Sequence, residues 1–348
     1  DVYKRQHSHR MRSMDKLQVA YQLLDTFQKV QKLRLLCATI NQARITQGDI
    51  PPWVFEEIKF FEANSDGHVP LMELYFRSLQ LLLKQTDAAC DDLVQAVKRH
   101  KASFEEEVMR EFYQQALNHQ IRAYNRDQSD RERCRQLLDF YMEMIQENLI
   151  LQGNKISAWN YKNIASLHAR IGELDRLEQF IHDFDGRIAR NDATCARAFV
   201  NGLLAFYQGK YLDYQRKHAK TKTKGAASWM LDVLNSDSEN IFWELEARAY
   251  RLLIKFELSE FEDEMPNQES LRMFIDRNKK SQKISKAHHQ AYGNLIKTIR
   301  KLHLAAFASP EKAQVKLSKL LGNIAEMKHL AQKQWFIDKI QSLQAPKK

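Results

Sequence analysis

The stretch from Ile156 to Phe184, ISAWNYKNIASLHARIGELDRLEQFIHDF, decides the fold because it carries two apolar stripes with helical spacing. The first stripe follows positions i, i+3 and i+7: Ile164, Leu167 and Ile171. The second follows positions i, i+3, i+7 and i+10: Leu174, Leu177, Ile181 and Phe184. Gly172 lies between them, and glycine ends a helix without steric penalty. The stretch therefore predicts two antiparallel helices joined by a short turn.

The same stretch resembles a tetratricopeptide repeat. With Gly172 at the glycine that ends the first helix, Tyr161 falls on the large aromatic position and Ala165 on the small one. Leu177 stands where that family has a packing alanine, and no proline closes the unit, so the repeat is degenerate. A second pair is predicted around Gly209, 37 residues further on, close to the family's period of about 34 residues. The clearest repeat spans 156–188 and the next one 190–220.

Composition favours the same architecture over the whole chain. Only 10 Gly and 6 Pro occur in 348 residues, too few to form the many turns of a β-rich fold. Good helix formers dominate, and 44% of the residues are hydrophobic, enough to bury a core. We predict an all-α fold, an α-solenoid of antiparallel helix hairpins, over residues 14–343 as a single domain. The opening DVYKRQ predicts a disordered start (1–13) of an N-terminally truncated chain, and 344–348 form a tail.

Helix starts and ends are predicted from local signals. Three pairs with capping-box spacing are Ser103 with Glu106, Ser129 with Glu132, and Ser236 with Glu239. Ser309 and Pro310 indicate another start, with proline as the first helical residue. A turn is expected at 64–67, a helix over 211–218, an exposed loop over 220–228 (KTKTKGAAS) and a closing helix over 327–343.

The charge and the cysteines of the chain limit its possible partners and its cellular compartment. The net charge of +10 is compatible with nucleic acid, an anionic membrane face or an acidic partner protein. No apolar run reaches the roughly 20 residues needed to span a bilayer. The four cysteines, Cys37, Cys90, Cys134 and Cys195, form no C-x-x-C pair. We therefore expect a cytoplasmic chain with reduced, buried thiols.

The motifs of common enzyme and metal sites are missing from the sequence. The glycines do not cluster into a phosphate loop, and H-E-x-x-H does not occur. The adjacent His288 and His289 point in different directions on a helix. Asn235, Asp237, Glu239 and Glu246 resemble part of a calcium loop, but position six is Asn240 instead of glycine and Glu246 is expected within a helix, so a helix cap is favoured. We predict no catalytic, cofactor-binding or metal-binding residue and a non-enzymatic function.

Two basic clusters are the weak candidates for partner binding. The first comprises Arg216, Lys217, Lys220, Lys222 and Lys224. The second comprises Arg277, Lys279, Lys280, Lys283 and Lys286. Both could contact phosphates, but a solvated loop and an ordinary cationic helix end are the favoured explanation. The tryptophans Trp159, Trp243 and Trp335 lie on apolar stripes and are predicted to belong to the core.

A second resemblance covers nearly the whole chain. It rests on five stretches in this order: KLRLLCATINQARI, ISAWNYKNIASLHARIGELDRLEQFI, FWELEARAYRLLIKFEL, RNKKSQKISKAHHQAYGNLIKTIRKL and QWFIDKIQSL. Together they resemble an uncharacterised helical-repeat family of Bacteroidetes-type bacteria, whose members are longer at the N-terminus. That resemblance implies no activity and no functional residue. The predicted function is a scaffold that binds a peptide or protein segment on its concave face; the alternative is a nucleic-acid-associated protein that uses the basic clusters.

Overall fold

The computed structural model describes residues 2–46, 48–64, 69–215, 222–260 and 264–345. These residues form fifteen α-helices, two short 3₁₀ helices and no strand, which confirms the all-α prediction. The helices are α1 (Val2–Thr46), α2 (Pro52–Asn64), α3 (Pro70–Lys84), α4 (Asp87–Arg99), α5 (Glu106–Arg126), α6 (Arg131–Gln146), α7 (Ala158–Ile171), α8 (Leu174–Phe184), α9 (Ala193–Tyr207), α10 (Ala226–Leu234), α11 (Ile241–Glu257), α12 (Glu264–Lys280), α13 (Lys286–Ala306), α14 (Pro310–Glu326) and α15 (Lys333–Gln344).

The chain divides into two compact units, Asp1–Arg122 and Ala123–Lys348, and the division falls within α5. In the first unit α3 packs against both α1 and α4. Helix α1 begins at Val2, twelve residues before the start that the sequence predicted. Of the turn predicted at 64–67, residues 65–67 lie outside the described part of the chain. The single array predicted over 14–343 stays a prediction.

The second unit is a chain of helices that pack on near neighbours in sequence. From α6 to α15 most consecutive helices are in contact. In addition α7 contacts α9, α9 contacts α11, and α11 contacts α13. These second-neighbour contacts place α7, α9, α11 and α13 in one row, and α7, α11 and α13 line the cavity described below.

The hairpin of α7 and α8 forms as its apolar spacing predicts. Ile164 and Leu177, one from each stripe, are fully buried. Gly172 ends α7 with a backbone φ of +83°, a conformation that glycine adopts at low cost. Ser157 caps the start of α7, because its hydroxyl accepts a hydrogen bond from the amide of Asn160 at 3.1 Å.

The predicted capping boxes are wrong at two helices because their serines have other partners. The hydroxyl of Ser129 donates to Asp127, so Asp130 caps α6 instead and accepts from the amide of Arg133 at 2.9 Å. Ser236 donates to the carbonyl of Val233 at 2.7 Å and thereby closes α10. The N-cap of α11 is Asn240, not Ser236. At α14 Pro310 is the first helical residue, as predicted.

Two predicted helices also differ from the structure. Residues 210–215 are not helical, because Tyr214 pairs with Thr223 through two backbone hydrogen bonds of 3.0 and 2.7 Å; 216–218 lie outside the described residues. Helix α10 therefore begins at Ala226, inside the segment predicted to be a loop. The closing helix begins at Lys333 and not at 327. The non-helical segment 327–332 instead lines the cavity of the second unit.

Candidate functional site

A cavity of about 350 Å³ lies within the second unit. Side chains of α7, α11 and α13 line it, together with the segments 125–128 and 327–333. Its size falls in the range of known ligand pockets, about 300 to 1,000 Å³. The lining contains five cationic side chains, Arg126, Lys162, Arg170, Lys328 and Lys333, but only two carboxylates, Asp127 and Glu246. The cavity is therefore a polar site with an excess of positive charge.

Lys162 of α7 and Glu246 of α11 form a buried ion pair across the cavity wall. Lys162 is only 6% exposed. Its ammonium nitrogen lies 4.7 Å from the ring centroid of Trp159 and 5.4 Å from that of Trp243, which adds cation–π attraction. A buried lysine needs such compensation, because an isolated charge in a protein interior is costly. The pair is neutral as a whole.

Arg170 lies eight residues after Lys162, about 12 Å further along α7 at 1.5 Å per residue. Its Nη1 donates to the hydroxyl of Tyr124 and, at 3.3 Å, to Oε1 of Gln128. The guanidinium carbon lies 5.7 Å from the ring centroid of Tyr124. Among the described residues, no Asp or Glu forms an ion pair with Arg170, and Nε and Nη2 donate no hydrogen bond. The Arg170 guanidinium is therefore not neutralised by a carboxylate of the described residues, and only its Nη1 is engaged.

The phenols near Arg170 do not supply the missing negative charge. Burial raises the pKa of Tyr124 and Tyr207 above the ordinary value. It raises the pKa of Tyr250 and Tyr292 well above that value. All four phenols therefore stay protonated and neutral at neutral pH, whereas an arginine keeps its proton. The positive charge of Arg170 consequently remains uncompensated by its neighbours.

Three other titratable groups of the lining, Asp127, His288 and Lys333, are engaged by hydrogen bonds or are neutral. Hydrogen bonds from Ser129 hold the pKa of Asp127 below its usual range, so this carboxylate is ionised and engaged. Burial lowers the pKa of His288, against the opposing effect of Glu246, which favours a neutral imidazole. Lys333 donates to two carbonyl oxygens at the end of α14 at 3.2 and 3.4 Å. Arg170 therefore differs from these groups in its unused hydrogen-bond donors.

The basic candidates that the structure describes lie outside this cavity. Arg216, Lys217 and Lys220 lie outside the described residues. Lys222 and Lys224 are exposed, and Lys224 forms an ion pair of 2.6 Å with Asp232. Exposed cations also occupy the end of α12, the turn after it and the first position of α13: Arg277, Lys279, Lys280, Lys283 and Lys286. None of these five forms an ion pair with a described residue.

Sequence reasoning missed Lys162 and Arg170, although a signal for Lys162 was present. Lys162 continues a row of small residues at helical spacing that the structure buries: Ala158, Ala165 and Ala169. A lysine within an apolar row requires a partner in the interior. Arg170 gave no comparable signal, because a basic residue in the last turn of a helix is ordinary. Only the packing of other segments around it distinguishes this arginine.

The tryptophan predictions are partly confirmed. Trp243 and Trp335 are buried, at 1% and 9% exposure. Trp159 is 37% exposed, and the prediction that it belongs to the core is wrong. It stacks on Trp243 with ring centroids 5.3 Å apart and shields Lys162 from one side.

In the part of the chain that the structure describes, no group of three or more His, Cys, Asp and Glu side chains is arranged to hold a metal ion. None of the described helices combines the length and apolar character that crossing a membrane requires.

No family model matches the chain, and it matches neither a curated protein nor a solved structure.

Proposed function

We propose that this chain is a non-enzymatic, cytoplasmic interaction scaffold that binds a peptide or protein segment. The observation that carries the proposal is the cavity of the second unit, where α7, α11 and α13 present donors and charged groups to a common space. In repeat proteins built from helical pairs, such an inner surface is the usual binding face. Tetratricopeptide-like repeats would supply the array.

The helix contacts of the second unit support this architecture. In a solenoid each helix touches its neighbours in sequence and the equivalent helix of the next pair. The contacts of α7 with α8 and α9, and those of α11 with α12 and α13, follow that pattern. The left-handed turn at Gly172 has a counterpart at Gly209, with φ of +83° and +70° respectively. Both glycines follow the last turn of a helix in the row of α7, α9, α11 and α13.

The chemistry of the cavity supports binding more than catalysis. The cysteines, which would be the strongest nucleophiles, are buried elsewhere. Burial raises the pKa of Cys37 and Cys90 to about 12, so their thiols are unreactive at neutral pH. Inside the cavity the carboxylates are held by Lys162 and Ser129 as described above. What remains is a set of hydrogen-bond donors, which suits recognition of a ligand.

A peptide array probed with the purified chain tests the proposal. Ala291 lies on α13 and lines the cavity, so Ala291→Trp places an indole in the binding space. Ala287 is exposed on the same helix outside the lining, and Ala287→Trp is the matched control. We expect selected peptides to bind the unmodified chain and the control but not Ala291→Trp. Unchanged binding by Ala291→Trp would exclude the cavity as the site.

The exposed cations between Arg277 and Lys286 favour nucleic acid as the second candidate function. Phosphate contacts of this kind lose affinity steeply as the salt concentration rises. Titration of a labelled single-stranded oligonucleotide at two salt concentrations tests it. Salt-sensitive binding that weakens in Lys279→Gln with Lys283→Gln, and that Ala291→Trp leaves unchanged, would favour nucleic acid over the scaffold.

A further inference from the structure

We propose that the cavity of the second unit recognises a carboxylate of an acidic peptide segment, and that Arg170 is the residue that binds this carboxylate. The inference rests on the proposed function, because it assumes that the cavity is where a peptide binds. It adds the chemical class of the partner and the anchoring residue.

Charge balance is the first argument. Lys162 is neutralised by Glu246, and the tyrosines beside Arg170 are neutral, so Arg170 retains one positive charge without a counter-ion. A charge held partly away from water is stabilised when an opposite charge binds next to it. The ligand that completes this arrangement carries a single negative charge at the corresponding point.

Hydrogen-bond geometry is the second argument. Tyr124 and Gln128 both accept from Nη1 of Arg170 and hold the guanidinium in place. The donors of Nε and Nη2 lie side by side on the opposite edge of the guanidinium. Two parallel donors of this kind match the two oxygens of a carboxylate. The ring of Tyr124, 5.7 Å from the guanidinium carbon, restricts the plane in which this edge can lie.

At Arg170 itself a carboxylate fits the local charge better than a phosphate does. A carboxylate supplies the one negative charge that this guanidinium lacks, whereas a phosphate monoester would place close to two there. Asp127 also lines the cavity as an ionised carboxylate and would repel a second negative charge. Arg126 and Lys328 are exposed at the cavity, where they can attract further acidic residues of the same segment. An Asp- or Glu-rich peptide satisfies both conditions.

Fluorescence anisotropy with a labelled oligo-glutamate peptide tests the inference on the whole chain. Oligo-glutamine of the same length is the matched neutral probe, and a phosphoserine peptide and a single-stranded oligonucleotide are the alternative anions. The variants are Arg170→Gln, Arg170→Lys and Arg190→Gln. Arg190 is an exposed arginine of the same unit outside the cavity, so its variant controls for net charge. Thermal unfolding of each variant shows whether it is folded.

We expect oligo-glutamate to bind and oligo-glutamine to bind at least tenfold more weakly. Arg170→Gln should weaken the binding of oligo-glutamate about 10- to 100-fold, the usual effect of losing hydrogen bonds to a charged group. Arg170→Lys keeps the charge but loses the paired donors, so its affinity should be intermediate. Arg190→Gln should bind like the unmodified chain. The comparison of the two peptides needs no variant and holds even if Arg170→Gln unfolds.

Three results would overturn the inference, and they differ in what they leave standing. Equal binding of oligo-glutamine, lost in Ala291→Trp, would reject the carboxylate but keep the peptide scaffold. Tighter binding of the phosphoserine peptide or the oligonucleotide would reject the carboxylate as the preferred anion. If no peptide bound, or if Ala291→Trp had no effect, the inference and the proposed function would fail together.

Discussion

The buried pair of Lys162 and Glu246 leads to a prediction about stability. The variant Glu246→Gln keeps the shape of the side chain but removes the charge that neutralises Lys162. Lys162 is 6% exposed and has no second carboxylate partner among the described residues. Its ammonium group would remain charged in a site that water reaches poorly, and we expect a large loss of folding free energy.

The magnitude follows from the burial of each partner. Removing one partner of a fully buried ion pair costs about 3–5 kcal/mol. The side chain of Glu246 is 21% exposed, and the cation–π contacts of Lys162 persist in the variant, so we expect a smaller loss, about 2–3 kcal/mol. Adding Lys162→Met removes the stranded charge and keeps a side chain of similar length. The double variant should therefore be more stable than Glu246→Gln alone.

Urea unfolding followed by tryptophan fluorescence measures both effects. Four of the five tryptophans lie in the second unit, so the signal reports mainly on the unit that contains the pair. The control is Glu244→Gln on the same helix, which breaks a more exposed pair with Arg248 and should cost about 0.3–0.5 kcal/mol. A double variant no more stable than Glu246→Gln would refute the reasoning, because the loss would then not come from the unpaired lysine.

Three further predictions concern local structure. Gly225→Ala should destabilise the chain by about 1–3 kcal/mol, because the new Cβ would overlap the backbone of the 210–215 segment. Gly186→Ala is the control: the space around Gly186 is open, so it should cost less than about 1 kcal/mol in the same urea titration. Asp130→Ala should cost about 0.5–2 kcal/mol through loss of the α6 cap, and hydrogen exchange should show that the first turn of α6 opens more readily. Burial lowers the pKa of His168 below 6.5 despite the opposing effect of Glu173, so the unfolded chain binds its proton first. The free energy of unfolding should therefore fall as the pH drops below about 6.5. Urea titrations at about pH 7 and pH 5 measure this fall, and His168→Gln should make it smaller. An equal fall in the variant would show that His168 does not cause the pH dependence.

Prediction from sequence worked best where a few neighbouring residues decide the structure. The hairpin of α7 and α8 was predicted from its stripes and Gly172, and the start of α14 from Pro310. It failed where a residue had a choice of partners. Ser129 was expected to cap a helix, but in the structure Asp127 accepts its hydrogen bond. The sequence shows that Ser129 is close to both Asp127 and the start of the helix, but it does not show which of the two forms the hydrogen bond.

The sequence by itself determined the helical class and the ends of several helices, since helical periodicity and glycine or proline conformation act over one or two turns. Only the tertiary structure decided where the cavity lies. Lys162 and Glu246 form their ion pair although 84 residues separate them in the sequence, and Arg170 and Tyr124 are hydrogen-bonded across a separation of 46 residues. The segment 327–332 stays non-helical where the amide of Ala331 donates to the carbonyl of Ala291 at 3.2 Å. Such contacts depend on how distant helices pack, and no local pattern along the chain encodes that packing.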